Sequence, residues 1–548
     1  MEYYNNKPIE KIDAPLCEHP AKEVKNLLLH LPIHSIVYNE NEEESFRGSA
    51  VPKMNYNTDS VLLTDGERSP KNHWPNPQYF HIHNGGARAI TFKLPYLCAV
   101  NGFSVNFCRD DAVAVRIPRW LKFRASADGE TFETLFETYY MGTKRDKRSF
   151  TLKQEFAPTK AIYVQIVFDV VHHVFIDEIE VYGCTDATEA KLPQKDGKPL
   201  FYEFPKPAEH NAYPPADVIG ARNINLSYNY RPCDPDKGLQ TVEDYLPLVG
   251  YLDRDGKILD TFMDGQLYLP DSDFWGNPLS KYAEGWKAYV DVTFQKGKNV
   301  DALNRAVGIV KEALGLPDYK VSVYFSLLYT YTGPDEFGEL DGEVLTFDNV
   351  ESRKKAIKWM VDTVIRRYTQ GSYGNTQLKG FYWFEEVINS SDPDEPALIR
   401  FAGDYVRSLG YKLFWIPYYK ANGYADWERY GFDMASMQPN YMFDARIPKE
   451  RLYENAAEAK KLGLCVEMEV WQIREDEQGN IDNPHHIEKF MEYMYAGAET
   501  GSMLSCKTYY HGSAPGGCIT NGWKSKNPRY RELYDTCYLF AKEKLEAK

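Results

Sequence analysis

Two hydrophobic patterns divide the sequence, and one gives way to the other near residue 185. Before that point, apolar or alternating runs of strand length recur between Gly, Pro and Asp clusters, at 89–94, 100–107, 120–125, 161–168 and 175–182. Such runs predict an antiparallel β-sandwich. A stretch rich in Lys, Pro and Asp follows at 186–218 and predicts a linker. We therefore expect domains at 1–185 and 219–548.

Beyond the linker, strand-like runs alternate with segments whose apolar positions recur at i, i+3 and i+4. The strand candidates are 224–228, 245–251, 320–328, 378–384, 411–416, 432–437, 464–470 and 501–506. The helix candidates are 299–314, 351–369, 394–408, 449–461, 484–498 and 528–546. Eight strands with helical connections predict an α/β fold of the (β/α)8, or TIM barrel, type. The second connection is irregular, because residues 261–270 stand where a helix is expected.

Two predicted barrel strands carry pairs of glutamates. The strand at 378–384 ends with Glu385 and Glu386, and the strand at 464–470 carries Glu467 and Glu469. Residues two apart in a strand share a face, so Glu467 and Glu469 are expected to point into the barrel together. Active sites of such barrels lie at the C-terminal strand ends, and paired carboxyls are the groups that cleave glycosidic bonds.

Position along each strand selects one glutamate from each pair. Glu469 is nearer the C-terminal mouth than Glu467 and is the predicted nucleophile. Glu386 stands at the extreme end of its strand and is the predicted acid/base, with Glu385 and Glu467 in reserve. Each pair taken alone also fits a solvated helix start, because acidic residues favour helix N-termini.

Aromatic, amide and charged side chains follow the same strand ends. Aromatic rings stack on the C–H faces of sugars and amides bond their hydroxyls, so these side chains are predicted to bind substrate. They are Tyr228, Tyr230, Arg231, Asp264, Trp415, Tyr418, Gln438, Asn440, Tyr441, Tyr510 and His511. Structural roles stay open for some of them: Asp264 could start a turn, Trp415 could be core, and His511 could be a satisfied core histidine.

Charge and composition narrow the class of ligand. The chain has 64 Lys and Arg against 79 Asp and Glu, a net charge of −15, and no basic tract, which argues against nucleic acid. Nine cysteines are scattered without a CxxC pair, so we expect free thiols. The pairs His172-His173 and His485-His486 lack a third ligand at metal spacing, so no metal and no cofactor is expected. The expected partner is an oligosaccharide or polysaccharide.

The start of the chain lacks a basic segment followed by an apolar run. No stretch approaches the roughly 18 apolar residues of a membrane span, so no membrane insertion is expected. These features predict a cytoplasmic protein from the chain as given, or a secreted or periplasmic one if a leader has been removed. Oligomeric state is left open.

Residues 45–184 resemble a discoidin-like jelly roll, similar to the C-domains of coagulation factors. The resemblance rests on Leu63-Thr-Asp-Gly66, Trp74, Arg124-Ala-Ser-Ala-Asp-Gly129 and Ile176-Asp-Glu-Ile-Glu-Val-Tyr182. It implies a galactose-binding-like module that either binds glycans at its loop tips or packs against a catalytic domain.

Residues 222–512 resemble an uncharacterised bacterial family described only as a domain of unknown function. The shared motifs are Phe262-Met-Asp264, Gly380-Phe-Tyr-Trp383 with Glu386, Trp415-Ile-Pro-Tyr418, Gly431-Phe-Asp433, Met437-Gln-Pro-Asn-Tyr441 and Glu467-Met-Glu469. This resemblance implies a barrel and no particular reaction.

Acid on the fourth and seventh strands is similar in position to the retaining glycosidases of clan A. In that superfamily the acid/base follows strand 4 and the nucleophile lies at strand 7, which implies those roles for Glu386 and Glu469. The clan carries Asn before its strand-4 glutamate, where this chain has Glu385.

Three hypotheses follow for function. The first is a glycoside hydrolase that uses a two-carboxylate, retaining mechanism on plant or microbial glycans. The second is a carbohydrate-binding protein whose barrel is inactive. The third is an acid-rich barrel that uses a divalent cation for lyase or isomerase chemistry.

Overall fold

In a computed structural model, the 548-residue chain forms two compact units. One unit comprises Met1–Pro205 with Asn389–Pro393, and the other comprises Lys206–Ile388 with Asp394–Lys548. The structure describes residues 6–38, 59–69, 78–83, 87–109, 115, 117–139, 149–170, 173–202, 207–230, 238–271, 282–330, 336–388, 392, 394–421, 423–512 and 517–547.

The N-terminal unit is built on an antiparallel sheet. Its strands are β1 (Lys25–Asn26), β2 (Ser35–Tyr38), β3 (Phe80–His83), β4 (Arg88–Cys108), β5 (Trp120–Ser126), β6 (Phe132–Tyr139), β7 (Ser149–Phe168) and β8 (His173–Cys184). They pair in the order β1-β8-β4-β7-β5-β6, with β2 beside β4 and β3 beside β8. The five runs predicted as strands in this region all lie within strands of this sheet.

Two of those predicted strands prove to be one. The runs 89–94 and 100–107 both belong to β4, whose pairing with β7 shifts register between Lys93 and Cys98. The sequence between these two residues, Leu94-Pro-Tyr-Leu97, includes a proline, which has no N–H to give to a ladder. The core of this unit is aliphatic and aromatic, and it includes stacked Phe103 and Phe123 with ring centroids 4.7 Å apart.

The C-terminal unit contains a closed barrel of eight parallel strands. In barrel order they are β9 (Asn223–Tyr230), β12 (Gly265–Pro270), β13 (Val321–Leu327), β16 (Thr376–Trp383), β17 (Lys412–Trp415), β18 (Met434–Met437), β19 (Cys465–Glu469) and β20 (Lys507–Tyr510). The barrel closes because β20 pairs with β9. Two hairpins, β10 (Gly250–Leu252) with β11 (Ile258–Thr261) and β14 (Glu336–Leu340) with β15 (Glu343–Thr346), lie outside it.

Helices occur in most segments that join barrel strands. They are α1 (Val242–Val249), α2 (Ala283–Thr293), α3 (Asn299–Leu314), α4 (Val350–Gly371), α5 (Glu395–Ser408), α6 (Glu450–Leu462), α7 (Pro484–Thr500), α8 (Gly517–Asn521) and α9 (Pro528–Ala541). All six predicted helices occur, and α2 is the longest one that the apolar pattern did not predict. Among the described residues, no helix is long and apolar enough to cross a membrane.

The prediction of a second strand at 245–251 is wrong. The hydroxyl of Thr241 accepts the N–H of Asp244 while the Asp244 side chain accepts the N–H of Thr241, a capping box that starts α1. The second barrel strand is β12, inside the segment 261–270 that looked like an irregular connection. Burial of all six β12 residues explains the missing alternation, because a strand covered on both sides shows none.

The predicted eighth strand is displaced along the chain. Residues Ser502–Leu504 form a single 3-10 turn, and the strand itself is Lys507–Tyr510. The prediction ended the strand before Lys507, because a lysine usually marks the solvent-exposed end of a strand, whereas Lys507 is buried. Its ammonium group is held inside by the carbonyls of Met503 and Ser505.

Alternation along the strands fills the barrel with apolar side chains. The interior cluster contains Ile224, Leu226, Leu267, Leu269, Tyr324, Tyr382, Phe414, Ile416, Met434, Cys465 and Cys506. The segment before β9 closes the N-terminal end, where the hydroxyl of Tyr324 donates to the carbonyl of Ile219 at 2.8 Å. The described cysteines are free thiols, as expected.

A β-bulge in β16 sets which of its side chains face the interior. Leu378 pairs with Val323 and Gly380 with Tyr324, so Lys379 is an extra residue on β16. Leu378 belongs to the outer core, yet after the bulge the even-numbered Tyr382 belongs to the interior. Without the extra residue, everything beyond it would face the opposite way.

Gly380 is the residue that lets the bulge form against β17. A Cβ at position 380 would lie 2.3 Å from the backbone carbonyl oxygen of Lys412, so Gly380→Ala forces the two strands apart. We expect the free energy of unfolding to fall by about 1–3 kcal/mol. Gly374→Ala is the matched control, since a Cβ there meets nothing within 4 Å, and it should change stability by less than about 1 kcal/mol. Urea unfolding measures both, and equal stability of the two variants would contradict this role.

Candidate active site

Three glutamates from two strands meet at the C-terminal end of the barrel. Glu467 and Glu469 lie on β19, and Glu386 follows β16. Charge repulsion within this set raises pKa values: Glu386 raises the pKa of both Glu467 and Glu469, and Glu469 raises that of Glu467. The predicted inward face of β19 is confirmed, since Cys465 is interior whereas Val466, Met468 and Val470 belong to the outer core.

Glu469 is the most strongly held of the three. Its Oε2 accepts the hydroxyl of Tyr493 at 2.6 Å and the backbone N–H of Asn440 at 2.7 Å. Burial raises the pKa of Glu469 to about 7, and these two hydrogen bonds oppose the rise because they favour the charged form. Asn440 has φ +58°, a left-handed conformation that asparagine tolerates. Asn440 thus contacts Glu469 through its backbone, and its role in substrate binding stays a prediction.

Glu467 lies below Glu469 and is 2 % exposed. Its Oε1 accepts the hydroxyl of Thr508 at 3.3 Å, and Thr508 is also 2.9 Å from the hydroxyl of Ser436. Burial and the charge of Glu469 raise the pKa of Glu467 well above its ordinary value. The surroundings of Glu467 therefore favour its protonated form.

Glu386 is oriented by an amide. The Nε2 of Gln438 donates to Glu386 Oε1 at 2.9 Å, and the Gln438 side chain is itself 8 % exposed. Burial among the residues of the mouth raises the pKa of Glu386 to about 7, and repulsion from Glu385 adds to this effect. The hydrogen bond from Gln438 opposes the rise. Glu386 is exposed at the end of the barrel, so it is accessible from solvent.

Glu385 is placed differently from Glu386. It is half-buried, and its carbonyl oxygen accepts the indole N–H of Trp415 at 2.7 Å. Trp415 itself is fully buried in the outer core, where it stacks on Phe432 with ring centroids 5.2 Å apart. Trp415 thus fixes the backbone at the end of β16, and the structure does not place its ring as a platform in the mouth.

Two tyrosines line the mouth beside the glutamates. Tyr228 and Tyr510 meet edge to face with ring centroids 6.2 Å apart. Burial raises the pKa of both hydroxyls, and the charges of Glu386 and Glu467 raise them further. These predicted substrate-binding residues therefore lie within electrostatic reach of the carboxyls.

Asp264 lies at the opposite end of the barrel. It precedes β12, and its carboxylate accepts the backbone N–H groups of Arg222 and Asn223 at the start of β9. The prediction that it follows the second strand is wrong, because that strand was assigned to the segment that forms α1. Asp264 is a structural cap.

The side chains of Tyr230 and Tyr441 are directed to other parts of the unit. Tyr230 belongs to the outer core, because the pairing of β9 with β12 shifts register at Pro270 and turns its side chain outward. The hydroxyl of Tyr441 donates to Glu492 at 2.6 Å. Tyr418 is half-buried beyond β17, and Arg231 lies outside the described residues.

His511 is a buried neutral histidine. It is 2 % exposed, burial lowers its pKa to about 4, and its Nδ1 has no hydrogen-bond partner among the described residues. A Cβ at Gly517 would lie 2.1 Å from that nitrogen, so Gly517 leaves room for the ring. His511 is therefore buried, as the alternative of a satisfied core histidine predicts, but its Nδ1 is not satisfied by any described residue.

Like Thr508, Tyr493 is a site residue that sequence reasoning missed. It lies on α7, one residue among several that form an apolar helical face, and no local motif distinguishes it. Its hydroxyl accepts the N–H groups of Tyr441 and Met442, at 3.1 and 3.2 Å, while donating to Glu469. In the described part of the chain, no cluster of three or more His, Cys, Asp or Glu side chains is arranged to hold a metal ion.

Comparison with protein families assigns residues 233–539 to the family described as "Domain of unknown function (DUF4855)". The chain belongs to this family. The resemblance of the barrel region to a domain of unknown function is thereby confirmed. No curated protein matches the chain.

Several solved structures resemble part of the chain. The C-terminal domain of a chitobiase from Bacteroides fragilis is 18% identical, covering 29% of this chain and 97% of its own, with a TM-score of 0.21. CpGH89CBM32-5 from Clostridium perfringens, in complex with GalNAc-beta-1,3-galactose, is 17% identical, covering 27% of this chain and 94% of its own, with a TM-score of 0.18. A Streptococcus pneumoniae fucose binding module is 14% identical over 29% and 97%, with a TM-score of 0.20. At these TM-scores the likenesses carry no argument.

Glu467→Gln should reduce the dependence of stability on pH. The pKa of Glu467 is higher in the folded than in the unfolded chain, so its contribution is full below about pH 4.3 and is lost as pH rises through the folded pKa. Glutamine keeps the acceptor for Thr508 and cannot ionise. We expect the variant to lose less unfolding free energy than the wild type between pH 4 and pH 9.

Urea unfolding at several pH values measures this difference. The control is Glu312→Gln, which alters an exposed glutamate on α3. A Glu467→Gln profile parallel to that of the wild type would contradict the assignment of a neutral buried carboxyl.

Tyr493→Phe should affect both stability and ionisation. It leaves two backbone N–H groups without their acceptor, which costs about 1–3 kcal/mol of unfolding free energy. It also removes a hydrogen bond that favours charged Glu469, so the pKa of Glu469 should rise. Urea unfolding and a ¹³C titration of the glutamate carboxyls measure these two effects.

Tyr453→Phe is the matched control. Its hydroxyl likewise donates to a glutamate, Glu499, at 2.7 Å, but on the exposed surface. If the two variants behave alike, Tyr493 does not support the site.

Proposed function

We propose that this protein is a glycoside hydrolase and that Glu386 and Glu469 are its two working carboxyls. The barrel is then of the (β/α)8 type, and residues 219–548 form the catalytic domain. Residues 1–185 form a discoidin-like jelly roll, joined by the linker 186–218. The observation that carries the proposal is that carboxyls from two different strands converge at the C-terminal mouth, with different hydrogen-bond partners.

The different partners support different roles for the glutamates. Glu469 accepts two strong hydrogen bonds, which favour its ionised form, so it is the carboxylate of the set. Glu386 accepts one amide N–H, so hydrogen bonds favour its ionised form less than that of Glu469, and we assign it the role of the acid. A carboxylate and a nearby acid with separated tasks are the requirement for glycoside hydrolysis.

The proposed mechanism assigns one step to each group. Glu386 gives its proton to the glycosidic oxygen as the bond to the anomeric carbon breaks, and Glu469 attacks that carbon to form a glycosyl ester. Glu386 then takes a proton from water, which attacks the ester and releases Glu469. Neutral Glu467, beneath Glu469, adds no second negative charge to oppose the attack.

The same protonation states predict a bell-shaped pH profile. Activity needs protonated Glu386 and ionised Glu469, and burial raises the pKa of both. The two macroscopic values belong to the coupled set of carboxyls rather than to single residues. Activity should be lost on the acid side as Glu469 gains a proton and on the alkaline side as Glu386 loses one.

Substitution of the two glutamates tests the proposal. Glu386→Gln and Glu469→Gln should each lower kcat by at least about 10²–10⁴-fold on a glycan that the wild type cleaves, because each removes a group that acts on the reacting atoms. Reducing-sugar release from a panel of plant and microbial glycans measures activity, and urea unfolding checks that the fold persists.

Glu385→Gln is the informative comparison. Glu385 repels charge on Glu386, so its replacement should lower the pKa of Glu386 and shift the alkaline limb to lower pH while most activity remains. Undiminished hydrolysis by both Glu386→Gln and Glu469→Gln would disprove the proposal. Binding of glycans by the wild type with no release of product would favour a non-catalytic carbohydrate-binding protein.

A further inference from the structure

A row of aromatic rings leads from the protein surface to the candidate glutamates. Trp471 and Phe443 are exposed by 36% and 42%, and their ring centroids are 5.7 Å apart. Phe443 in turn lies 5.7 Å from Tyr510, which lies 6.2 Å from Tyr228. We call these four residues the aromatic row. Its inner end is within electrostatic reach of Glu386 and Glu467.

Chain geometry fixes the outer end of the row beside Glu469. Trp471 is two residues beyond Glu469, and the N–H of Val470 still bonds the carbonyl of Tyr510 at 2.8 Å, so the pairing of β19 with β20 continues past the glutamate. Phe443 belongs to the segment after β18 that also supplies the Asn440 N–H to Glu469. The segments that carry these rings therefore also hold the carboxylate.

The exposure of Trp471 and Phe443 does not contribute to the stability of the fold. Burying a large apolar side chain contributes about 1.5–3 kcal/mol, and two adjacent rings left in water forgo part of this. The three ring-to-ring steps also make the row longer than one sugar ring. Adjacent exposed aromatic side chains are typical of a binding surface.

The chemistry beside the row favours a saccharide. A pyranose ring has apolar C–H faces that pack on aromatic rings and hydroxyl edges that need hydrogen-bond partners. Carboxylates and the Gln438 amide at the inner end of the row supply such partners. A lipid chain would leave those groups unpaired, and a peptide that binds by adding a strand to a sheet would need a free strand edge, which the closed barrel lacks.

We propose that Trp471 and Phe443 form a platform that binds a chain of neutral sugars, so that the ligand is an oligosaccharide or polysaccharide rather than a monosaccharide. This inference rests on the proposed function for the position of the bond to be cleaved. Binding to the platform, however, needs no chemistry. The platform holds sugar units outside the mouth, and the tyrosines hold the unit next to the glutamates.

The test is calorimetric binding to Glu469→Gln and to Glu469→Gln with Trp471→Ala and Phe443→Ala. The probes are gluco-, xylo-, manno- and chito-oligosaccharides from monosaccharide to hexasaccharide. We expect affinity to increase with chain length in the first protein. Loss of both rings should lower the affinity for the longer ligands by at least about tenfold, which corresponds to about 1.4 kcal/mol of binding free energy. The affinity for monosaccharides should stay unchanged.

Leu259→Ala is the matched control. Leu259 is an apolar residue with 48% exposure on β11, which leads into the N-terminal end of β12, at the closed end of the barrel. This variant should bind all ligands as the parent does. Urea unfolding of each variant checks that the fold persists.

The outcomes separate this inference from the proposed function. Length-dependent binding that is lost with the two rings, without hydrolysis by the wild type, supports the platform and refutes the hydrolase. A second variant carries Trp471→Ala and Phe443→Ala with Glu469 intact. If it hydrolyses oligosaccharides with the same preference for chain length as the wild type, the hydrolase is supported and the platform is overturned. Absence of binding to every probe also overturns the platform.

Discussion

Closure of eight parallel strands into a barrel is the constraint on which the rest of the C-terminal unit depends. A closed barrel has no free edge, so every strand must point alternate side chains inward. Most of those inward positions are apolar and fill the interior. At the C-terminal ends of β16 and β19 the inward positions become acidic, and closure then brings glutamates together that are eighty residues apart in the chain.

The bulge at Lys379 determines which side chains at the end of β16 face the barrel interior. It reverses the inward and outward faces of β16 just before the strand ends, so that Tyr382 joins the interior. Glu386 then reaches Gln438, whereas the backbone of Glu385 is held by outward-facing Trp415. A one-residue irregularity thus determines which of two adjacent glutamates enters the mouth. Gly380 permits it, because a side chain there would meet the backbone of Lys412.

Three carboxyls in one mouth oppose stability, since burial and mutual repulsion both disfavour their charges. Hydrogen bonds to the three carboxyls offset this unfavourable energy to different extents. Glu469 receives two hydrogen bonds, Glu386 one from an amide, and Glu467 only that of Thr508. Three chemically identical groups therefore have different hydrogen-bond environments. Conflicts of this kind between stability and local structure are characteristic of functional sites.

The sequence predicted those features that depend on residues close together in the chain. Apolar spacing located the helices, and alternation placed Glu467 and Glu469 on one face. Features set by distant residues were not predictable: the burial that hides β12, the register shift that turns Tyr230 outward, and Tyr493, which reaches Glu469 from a helix. Asp264 was misplaced because an apolar segment of strand length, started by the Thr241 capping box, forms a helix.

The most direct measurement of the central claim is chemical rescue of Glu469→Ala by azide, on an aryl glycoside that the wild type hydrolyses. Without the carboxylate, a small anion can occupy its place and attack the anomeric carbon. We predict that azide restores turnover and yields a glycosyl azide of anomeric configuration opposite to that of the substrate. Rescue of Glu467→Ala instead, or full activity of Glu469→Ala without azide, would contradict the assignment of Glu469.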